Sequence, residues 1–155
     1  MEDILMARTP EITHKIMSAI KSKNTKPELM LRRALWRKGL RYRVNVKKLP
    51  GKPDIVFSRA KIVVFCDGDF WHGHNWALRG IDSLEEELKR YTPFWRDKIL
   101  GNIKRDKDNT ARLQNENWIV IRIWESEIKK DVAQCATIIE ERYRSILSQC
   151  NSQKN

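Results

Sequence analysis

The sequence predicts an α/β fold in which helices cover both faces of a central sheet, with the element order αβββαβα. Two observations carry this prediction. One strand-length run is apolar at consecutive positions, and longer segments repeat apolar residues every three to four positions. The chain has 155 residues, which predicts a single domain at residues 1–150, followed by a polar tail at residues 151–155.

The first helix and the first strand are predicted from local chemistry. Thr25-Lys26-Pro27-Glu28 combines a capping hydroxyl, an early proline and a glutamate at the spacing of a helix start, so we expect a helix as far as Gly39. The next segment, from Leu40 to Val46, alternates apolar side chains with basic or polar ones, which is typical of a half-exposed strand.

Two further strands are expected to form an antiparallel pair. Asp54 begins the first, and a turn at Ser58-Arg59 leads into the second, which runs from Lys61 to Cys66. Because residues 62–65 are apolar on both faces, this second strand is predicted to lie in the centre of the sheet.

The remaining elements follow a loop from Asp67 to Ala77 that is rich in acidic, aromatic and imidazole side chains. Thr92-Pro93 is predicted to open a helix, and spacings of three and four residues place Asp106 on its inward face. An apolar strand from Trp118 to Trp124 and a final amphipathic helix complete the order.

Positive charge is concentrated in one part of the chain. Lys and Arg number 31 against 20 Asp and Glu, which gives a net charge of +11. From Lys15 to Lys52 there are 13 basic residues and one acid, Glu28, whereas the rest of the chain is nearly balanced. We interpret this segment as a surface for nucleic acid, with a solvated basic face and a membrane surface as the alternatives.

Composition excludes several other classes of protein. Apolar runs of no more than about six residues are too short for a membrane span of roughly 20. The first six residues lack the basic and apolar regions of a secretory signal, so a cytoplasmic location is expected. Cys66, Cys135 and Cys150 are odd in number and far apart, which fits neither a disulfide framework nor a cysteine-rich zinc module.

Acidic and imidazole side chains from three segments are expected to meet at one edge of the sheet. Asp54 begins one strand of the antiparallel pair and Asp67 follows the end of the other, so these two ends are adjacent. Hard oxygen ligands suit Mg²⁺ beside a substrate phosphate, and they indicate phosphodiester hydrolysis. The residues expected at this edge are Asp54, Asp67, Asp69, His72, His74 and Asp106.

Each of these residues also has a purely structural interpretation. Asp54 follows a proline as a turn residue does, Glu28 fits a capping box alone, and an isolated histidine is often merely hydrogen-bonded. Turn formation does not require acids and imidazoles from separate segments beside a cationic surface, which favours the catalytic interpretation. The aromatic residues Phe70, Trp71 and Trp95 are interpreted as side chains that wedge between or stack on bases.

Six sequence motifs, spread in order along nearly the whole chain, resemble those of a known family. They are Met17–Glu28, Leu49–Asp54, Phe70-Trp71-His72, Phe94-Trp95, Asn102–Asp106 and Trp124-Glu125. Together they resemble the very-short-patch repair (Vsr) mismatch endonucleases. The resemblance implies a restriction-endonuclease-like fold of the PD-(D/E)XK type, a central mixed sheet flanked by helices. It also implies a Mg²⁺-dependent enzyme that nicks double-stranded DNA 5′ to the T of a T·G mismatch, the lesion left when 5-methylcytosine deaminates.

The resemblance also implies a role for each site residue. Asp54 matches the family's metal-bridging aspartate, and Cys66 occupies the position whose backbone carbonyl completes the metal coordination. His72 matches the histidine that acts on the attacking water or phosphate, Asp106 the carboxylate that supports it, and Glu28 a glutamate near the site. The residues that match the family's aromatic wedge are Phe70, Trp71 and Trp95.

The chain departs from the family pattern at two places. Asp67 stands where the best-known members have a second histidine, so either its carboxylate is a direct metal ligand or the proton-transfer roles are redistributed. Of the four positions of the family's structural zinc site, only His74 keeps a ligand of that kind, so no structural zinc is expected. These positions are Asp69, His74, Trp76 and Ser126.

Two alternatives to a mismatch-nicking enzyme stay open at the level of sequence. A restriction-type endonuclease would cut both strands of a specific site. A non-catalytic DNA-binding module would use the same acids for structure alone. For the nicking enzyme we expect a monomer that binds double-stranded DNA and no membrane.

Overall fold

The computed structural model describes residues 23–154, and a four-stranded sheet with helices packed on it is their main feature. The helices are α1 (Lys26–Arg37), α2 (Asn75–Leu78), α3 (Leu84–Leu88), α4 (Pro93–Asn115), α5 (Glu125–Lys130) and α6 (Val132–Ser152). The strands are β1 (Arg43–Val44), β2 (Ile55–Phe57), β3 (Ile62–Asp67) and β4 (Ile119–Trp124). Residues 17–22 of the first motif, Lys15 and Lys21 of the basic segment, and Asn155 of the tail lie outside the described residues.

The sheet is mixed, with the spatial order β1-β2-β3-β4. β2 pairs antiparallel with both β1 and β3, whereas β3 and β4 are parallel. The predicted α/β sheet with flanking helices is confirmed, and residues 62–65 of the central strand β3 are buried as expected. The observed order also contains α2, α3 and α5, three short helices of four to six residues that the sequence analysis does not include.

Helix α1 begins as predicted and ends two residues earlier than expected. Thr25 Oγ1 accepts a hydrogen bond from the Glu28 backbone N–H, and the Glu28 carboxylate accepts one from the Thr25 N–H, which completes the capping box. Gly39 has a φ of 84°, a left-handed conformation that ends the helix at low cost.

The strand predicted from Leu40 to Val46 is shorter than expected. Only Arg43 and Val44 form β1, and both are exposed. Asn45 has a φ of 49°, which breaks the extended conformation, although its backbone N–H still donates to the carbonyl of Asp54. The alternating pattern therefore predicted pairing at this edge correctly but overestimated the strand's length.

The two faces of the sheet bury different cores. Ile55, Phe57, Ile62 and Val64 face α1 and α6, and Val56, Val63 and Phe65 pack with Leu113 of α4. Since side chains alternate along a strand, Asp54, Asp67 and Arg122 belong to the face that α4 covers. The fold thus brings three charged side chains of the sheet against the inward face of α4. Among the described residues, no helix is long and apolar enough to cross a membrane.

Candidate active site

Asp54 and the end of β3 are fixed to each other by backbone contacts. The Asp54 N–H donates to the carbonyl of Val64, and its carboxylate Oδ2 accepts a hydrogen bond from the Cys66 N–H at 2.7 Å. Asp54 is therefore positioned by the antiparallel pair of β2 and β3. Its side chain lies beside Cys66 and Asp67, where the sequence analysis expected these residues to meet.

His72 reaches the same place from the loop after β3. Its Nδ1 is hydrogen-bonded to the carboxylate of Asp106 on α4 and lies 3.8 Å from Asp67 Oδ1. Gly73 allows this approach, because its φ is 75° and a Cβ would lie 2.6 Å from Ile103 Cδ1. The helical spacing that placed Asp106 on the inward face of α4 therefore located its side chain correctly.

Asp67 has a partner that the sequence analysis did not identify. Both of its carboxylate oxygens lie 3.0 Å from Arg122 Nη1, and Asp67 itself is buried. The signal that points to Arg122 is local: it is the only charged residue in the otherwise apolar strand β4, and a charge in such a strand indicates a buried partner. The identity of that partner could not be read from the sequence, because it lies 55 residues away.

Glu28 lies beside the site rather than in it. It is 2% exposed, and its carboxylate is hydrogen-bonded to Arg32 and to the backbone N–H of Thr25. Its negative charge nevertheless contributes to raising the pKa of Asp54. The contribution of Glu28 to the site is therefore its negative charge, and its carboxylate also caps the start of α1.

The electrostatics of the site are those of carboxylates held close together. Burial raises the pKa of Asp54 to about 7, and the charges of Glu28 and Asp67 add to this effect. Burial also raises the pKa of Asp67, although His72 and Arg122 oppose it. Burial alone would lower the pKa of His72, but the hydrogen bond that His72 donates to Asp106 and the charge of Asp67 outweigh it and raise that pKa.

These residues fit a divalent cation. Within the part of the chain that the structure describes, the Cys66 N–H is the only donor hydrogen-bonded to the Asp54 carboxylate, so one oxygen has acceptor capacity to spare. Burial raises the pKa of the Cys66 thiol, which leaves the backbone carbonyl as the ligand that this residue offers. A second group of ligand atoms, from Asp67, His72 and Asp106, lies within 4.8 Å of one another and does not include Asp54. The Asp54 carboxylate and the Cys66 carbonyl are hard oxygen donors, which suit Mg²⁺ or Mn²⁺.

The metal-free protein should become more stable when Asp54 is neutralised. Because the folded pKa of about 7 lies above the ordinary 3.8, the folded state keeps a proton that the unfolded state releases, and stability falls as pH rises from about 4 to about 7. We expect Asp54→Asn to raise the free energy of unfolding by about 2–4 kcal/mol at pH 8 and by less at pH 5. Urea unfolding in a chelator measures this difference, with the exposed Asp108→Asn as the control. An equal effect at both pH values would contradict it.

The site lies in a cleft of about 430 Å³ that is lined by both basic and acidic side chains. Lys23, Lys47 and Lys52, from the basic segment of the sequence, line it together with Asn45. Its acidic lining residues are Asp54, Asp67 and Asp106. A phosphate in this cleft can contact the lysine ammonium groups and also a cation that the carboxylates hold.

The aromatic residues predicted to contact DNA are only partly accessible. Phe70 and Trp95 are 6% and 5% exposed and pack with Leu88, Tyr91 and Ile99 in a separate core. Phe70 and Trp95 are therefore core residues, and the wedge role of the three aromatics stays a prediction. Trp71 is partly exposed at the edge of this core, and Phe94, which the sequence analysis did not select as a wedge residue, is 65% exposed. The ammonium group of Lys98 lies 5.4 to 5.9 Å from the rings of Trp71, Phe94 and Trp95.

Three of the four positions assigned to a zinc site by resemblance are hydrogen-bonded to one another. The Asp69 carboxylate accepts from the backbone N–H of Ser126 at 3.0 Å and from its hydroxyl at 2.6 Å. Its Oδ1 also contacts His74 Nδ1 at 2.7 Å, and the His74 ring stacks on Trp124. Trp76 lines a neighbouring cavity. These contacts join the loop that carries His72 to the start of α5. The expectation that no zinc is bound stays a prediction.

Comparison with known proteins finds a family and several relatives that are similar to this chain in sequence. The family described as DNA mismatch endonuclease Vsr matches residues 5–78. The type II nicking enzyme V.NmeDIP of Neisseria meningitidis serogroup C is 44% identical over 136 residues, which is 88% of each chain. The type II nicking enzyme V.HpaIIP of Haemophilus parainfluenzae is 43% identical over 124 residues, covering 79% of this chain and 84% of its own length. The DNA mismatch endonuclease Vsr of Escherichia coli (strain K12) is 36% identical over 115 residues, covering 74% of this chain and 70% of its own length.

Proposed function

The chain belongs to the Vsr family and is a DNA endonuclease, and from that premise we propose that it nicks one strand of duplex DNA 5′ to the T of a T·G mismatch, with Mg²⁺ as cofactor. The observation that carries this proposal is one cleft lined by Asp54, Asp67, His72 and Asp106 together with lysine side chains. We further propose that the sheet is the restriction-endonuclease-like sheet of the PD-(D/E)XK type. In this proposal residues 1–150 form one domain, and the protein acts as a cytoplasmic monomer.

Asp54 and the backbone carbonyl of Cys66 are the groups proposed to hold the cation. Mg²⁺ bound there supplies Lewis-acid stabilisation of the charge that develops on the phosphate. Of the two roles left open for Asp67, its contact with Arg122 supports a redistribution: part of its charge is balanced within the protein, and it helps to orient His72. Lys23, Lys47 and Lys52, which line the same cleft, are proposed to hold the DNA backbone in it.

His72 is proposed to act as the general base. Asp106 accepts from Nδ1–H, which fixes the tautomer in which Nε2 is the basic atom. A water molecule transfers its proton to Nε2 while its oxygen bonds to phosphorus, and the bond from phosphorus to the 3′-oxygen breaks. The 3′-oxygen takes a proton from solvent, which leaves a 3′-hydroxyl and a 5′-phosphate at the nick.

The wedge is proposed to have an accessible part and a supporting part. Trp71 at the edge of its core, together with exposed Phe94, provides ring surface that can enter or stack beside the mismatched pair. Phe70 and Trp95 support these two rings through edge and tilted contacts with centroid separations of 5.1 to 6.2 Å. Lys98 brings positive charge to the same place, where a phosphate would pass.

Matched duplexes provide the test of this function. The protein with Mg²⁺ is incubated with a pool of duplexes that share a central T·G pair between randomised flanks, and with the same pool carrying T·A or C·G instead. We expect a single nick 5′ to the mismatched T, at least about tenfold faster than in either paired pool, because the unstacking needed for wedge entry is cheapest at a mismatch.

The other outcomes separate the alternatives. Equal nicking of paired and mismatched duplexes would reject mismatch specificity while leaving the endonuclease. Cleavage of both strands at one paired sequence would identify a restriction-type enzyme. Binding of DNA without cleavage under any metal ion would contradict the catalytic roles assigned here.

A further inference from the structure

We infer that Arg122 is a positioning residue of this active site, because its guanidinium group ties together the two carboxylates, Asp67 and Asp106, that lie against His72. The inference rests on the proposed function, since it assigns a role within the same site. The inference goes beyond the proposed function because it adds a residue that neither the sequence motifs nor the resemblance selects.

The contacts of Arg122 reach three residues on two elements. Nη1 lies 3.0 Å from both carboxylate oxygens of Asp67 and 3.6 Å from Asp106 Oδ1. Nη2 donates to the backbone carbonyl of Asp106 at 3.4 Å, and Nε donates to Thr110 Oγ1 at 3.0 Å. Arg122 therefore links β4 to the end of β3 and to the middle of α4.

The position of Arg122 follows from the parallel pairing of β3 and β4. Arg122 is opposite Phe65 in the register, and its guanidinium carbon lies 4.0 Å from the centre of that ring. From there the side chain extends to Asp67, two residues further along the neighbouring strand. The Arg122 side chain is 22% exposed, so the ion pair is shielded from solvent over most of its surface.

The arrangement of these donors points to a role in positioning rather than in binding DNA. Each nitrogen of the guanidinium already contacts a protein oxygen, so its charge is directed at the carboxylates instead of at a phosphate. Two carboxylates that flank one imidazole repel each other, and a cation shared between them offsets that repulsion. A planar guanidinium can hold several oxygens in fixed directions, which an ammonium group cannot do equally well.

Asp67 and Asp54 differ in how the charge of their carboxylates is balanced. Arg122 balances the charge of Asp67, whereas among the described residues no basic side chain forms an ion pair with Asp54. Asp54 is thus the carboxylate whose charge remains to be balanced by a bound cation. By this account, Arg122 balances the Asp67 carboxylate, and that carboxylate orients His72.

The test compares Arg122→Gln, Arg122→Lys, Asp67→Asn and the double variant Asp67→Asn/Arg122→Gln. We expect Arg122→Gln to slow single-turnover nicking about 100-fold through a displaced His72, with DNA affinity in Ca²⁺ changed less than about twofold. Arg122→Lys should recover part of the rate. The double variant should be no slower than the slower single variant, because the two residues act as a unit. Arg144→Gln, which removes the arginine of an exposed pair with Glu140 on α6, is the matched control and should nick as the unaltered protein does.

A second readout does not depend on activity. In metal-free protein labelled with ¹⁵N-histidine, the His72 Nδ1–H signal, assigned with His72→Ala, should be lost or broadened in Arg122→Gln and retained in Arg144→Gln. An unchanged signal in Arg122→Gln would overturn the inference even if the unaltered protein nicked no DNA, so it fails separately from the proposed function. The inference would also be overturned if Arg122→Gln lost DNA affinity at an unchanged nicking rate, or if the single effects multiplied in the double variant.

Discussion

Asp54→Asn is expected to slow DNA nicking by at least about 10³-fold. Asp54 is the carboxylate in the cleft that has a spare acceptor oxygen and no ion pair among the described residues, and asparagine cannot supply the charge that holds a cation there. Loss of a Lewis acid removes several kcal/mol of transition-state stabilisation, and each 1.36 kcal/mol is a factor of ten in rate. Single-turnover nicking of the mismatched duplex in Mg²⁺ measures the effect.

Two observations separate this loss from misfolding. The same variant should be more stable than the unaltered protein in chelator at pH 8, because it lacks a partly buried carboxylate that is costly to ionise. Asp108→Asn, an exposed aspartate two residues beyond Asp106 on α4, should nick normally. Full Mg²⁺-dependent nicking by Asp54→Asn would show that the site is assigned to the wrong carboxylate.

His72→Ala should slow nicking by about 10²- to 10⁴-fold, the usual contribution of a general base. The base acts in its neutral form, and Asp106 and Asp67 raise the pKa of His72 above its ordinary 6.5. The rate should therefore rise with pH to a plateau, with a midpoint above 6.5. Asp106→Asn removes the carboxylate that holds Nδ1, so its midpoint should move to lower pH. A pH profile of single-turnover rates for the three proteins measures both effects.

Added imidazole provides the control for this variant. Imidazole in solution should restore part of the rate of His72→Ala and none of the rate of Asp54→Asn, because only the former lacks a proton acceptor. If His72→Ala nicked at the normal rate, or if Asp106→Asn left the midpoint where it was, His72 would not be the base.

Features that depend on neighbouring residues in the chain could be predicted from the sequence. The capping box at Thr25 and Glu28 needs only a three-residue spacing, and the burial of residues 62–65 follows from an uninterrupted apolar run. Asp106 was located because the period of a helix places it on the same face as the apolar residues of α4. Each of these inferences uses only the spacing of nearby residues along the chain, which does not depend on the tertiary fold.

Features that depend on distant contacts could not be predicted in the same way. Arg122 with Asp67 and Ser126 with Asp69 are separated by 55 and 57 residues, so their pairing appears only after β3 and β4 align in parallel. The burial of Phe70 arises from packing against α3 and α4, which local composition does not show. The loop composition predicts a functional segment, but the division of its aromatics into buried and accessible rings is a tertiary property.

The central claim is that the cleft holds a divalent cation between Asp54 and the end of β3. Anomalous diffraction from crystals grown with Mn²⁺ tests this most directly. The account predicts a peak at about 2.1 Å from a carboxylate oxygen of Asp54 and from the carbonyl oxygen of Cys66, and loss of that peak in Asp54→Asn. A peak that persists in Asp54→Asn, or one found only among Asp67, His72 and Asp106, would contradict it.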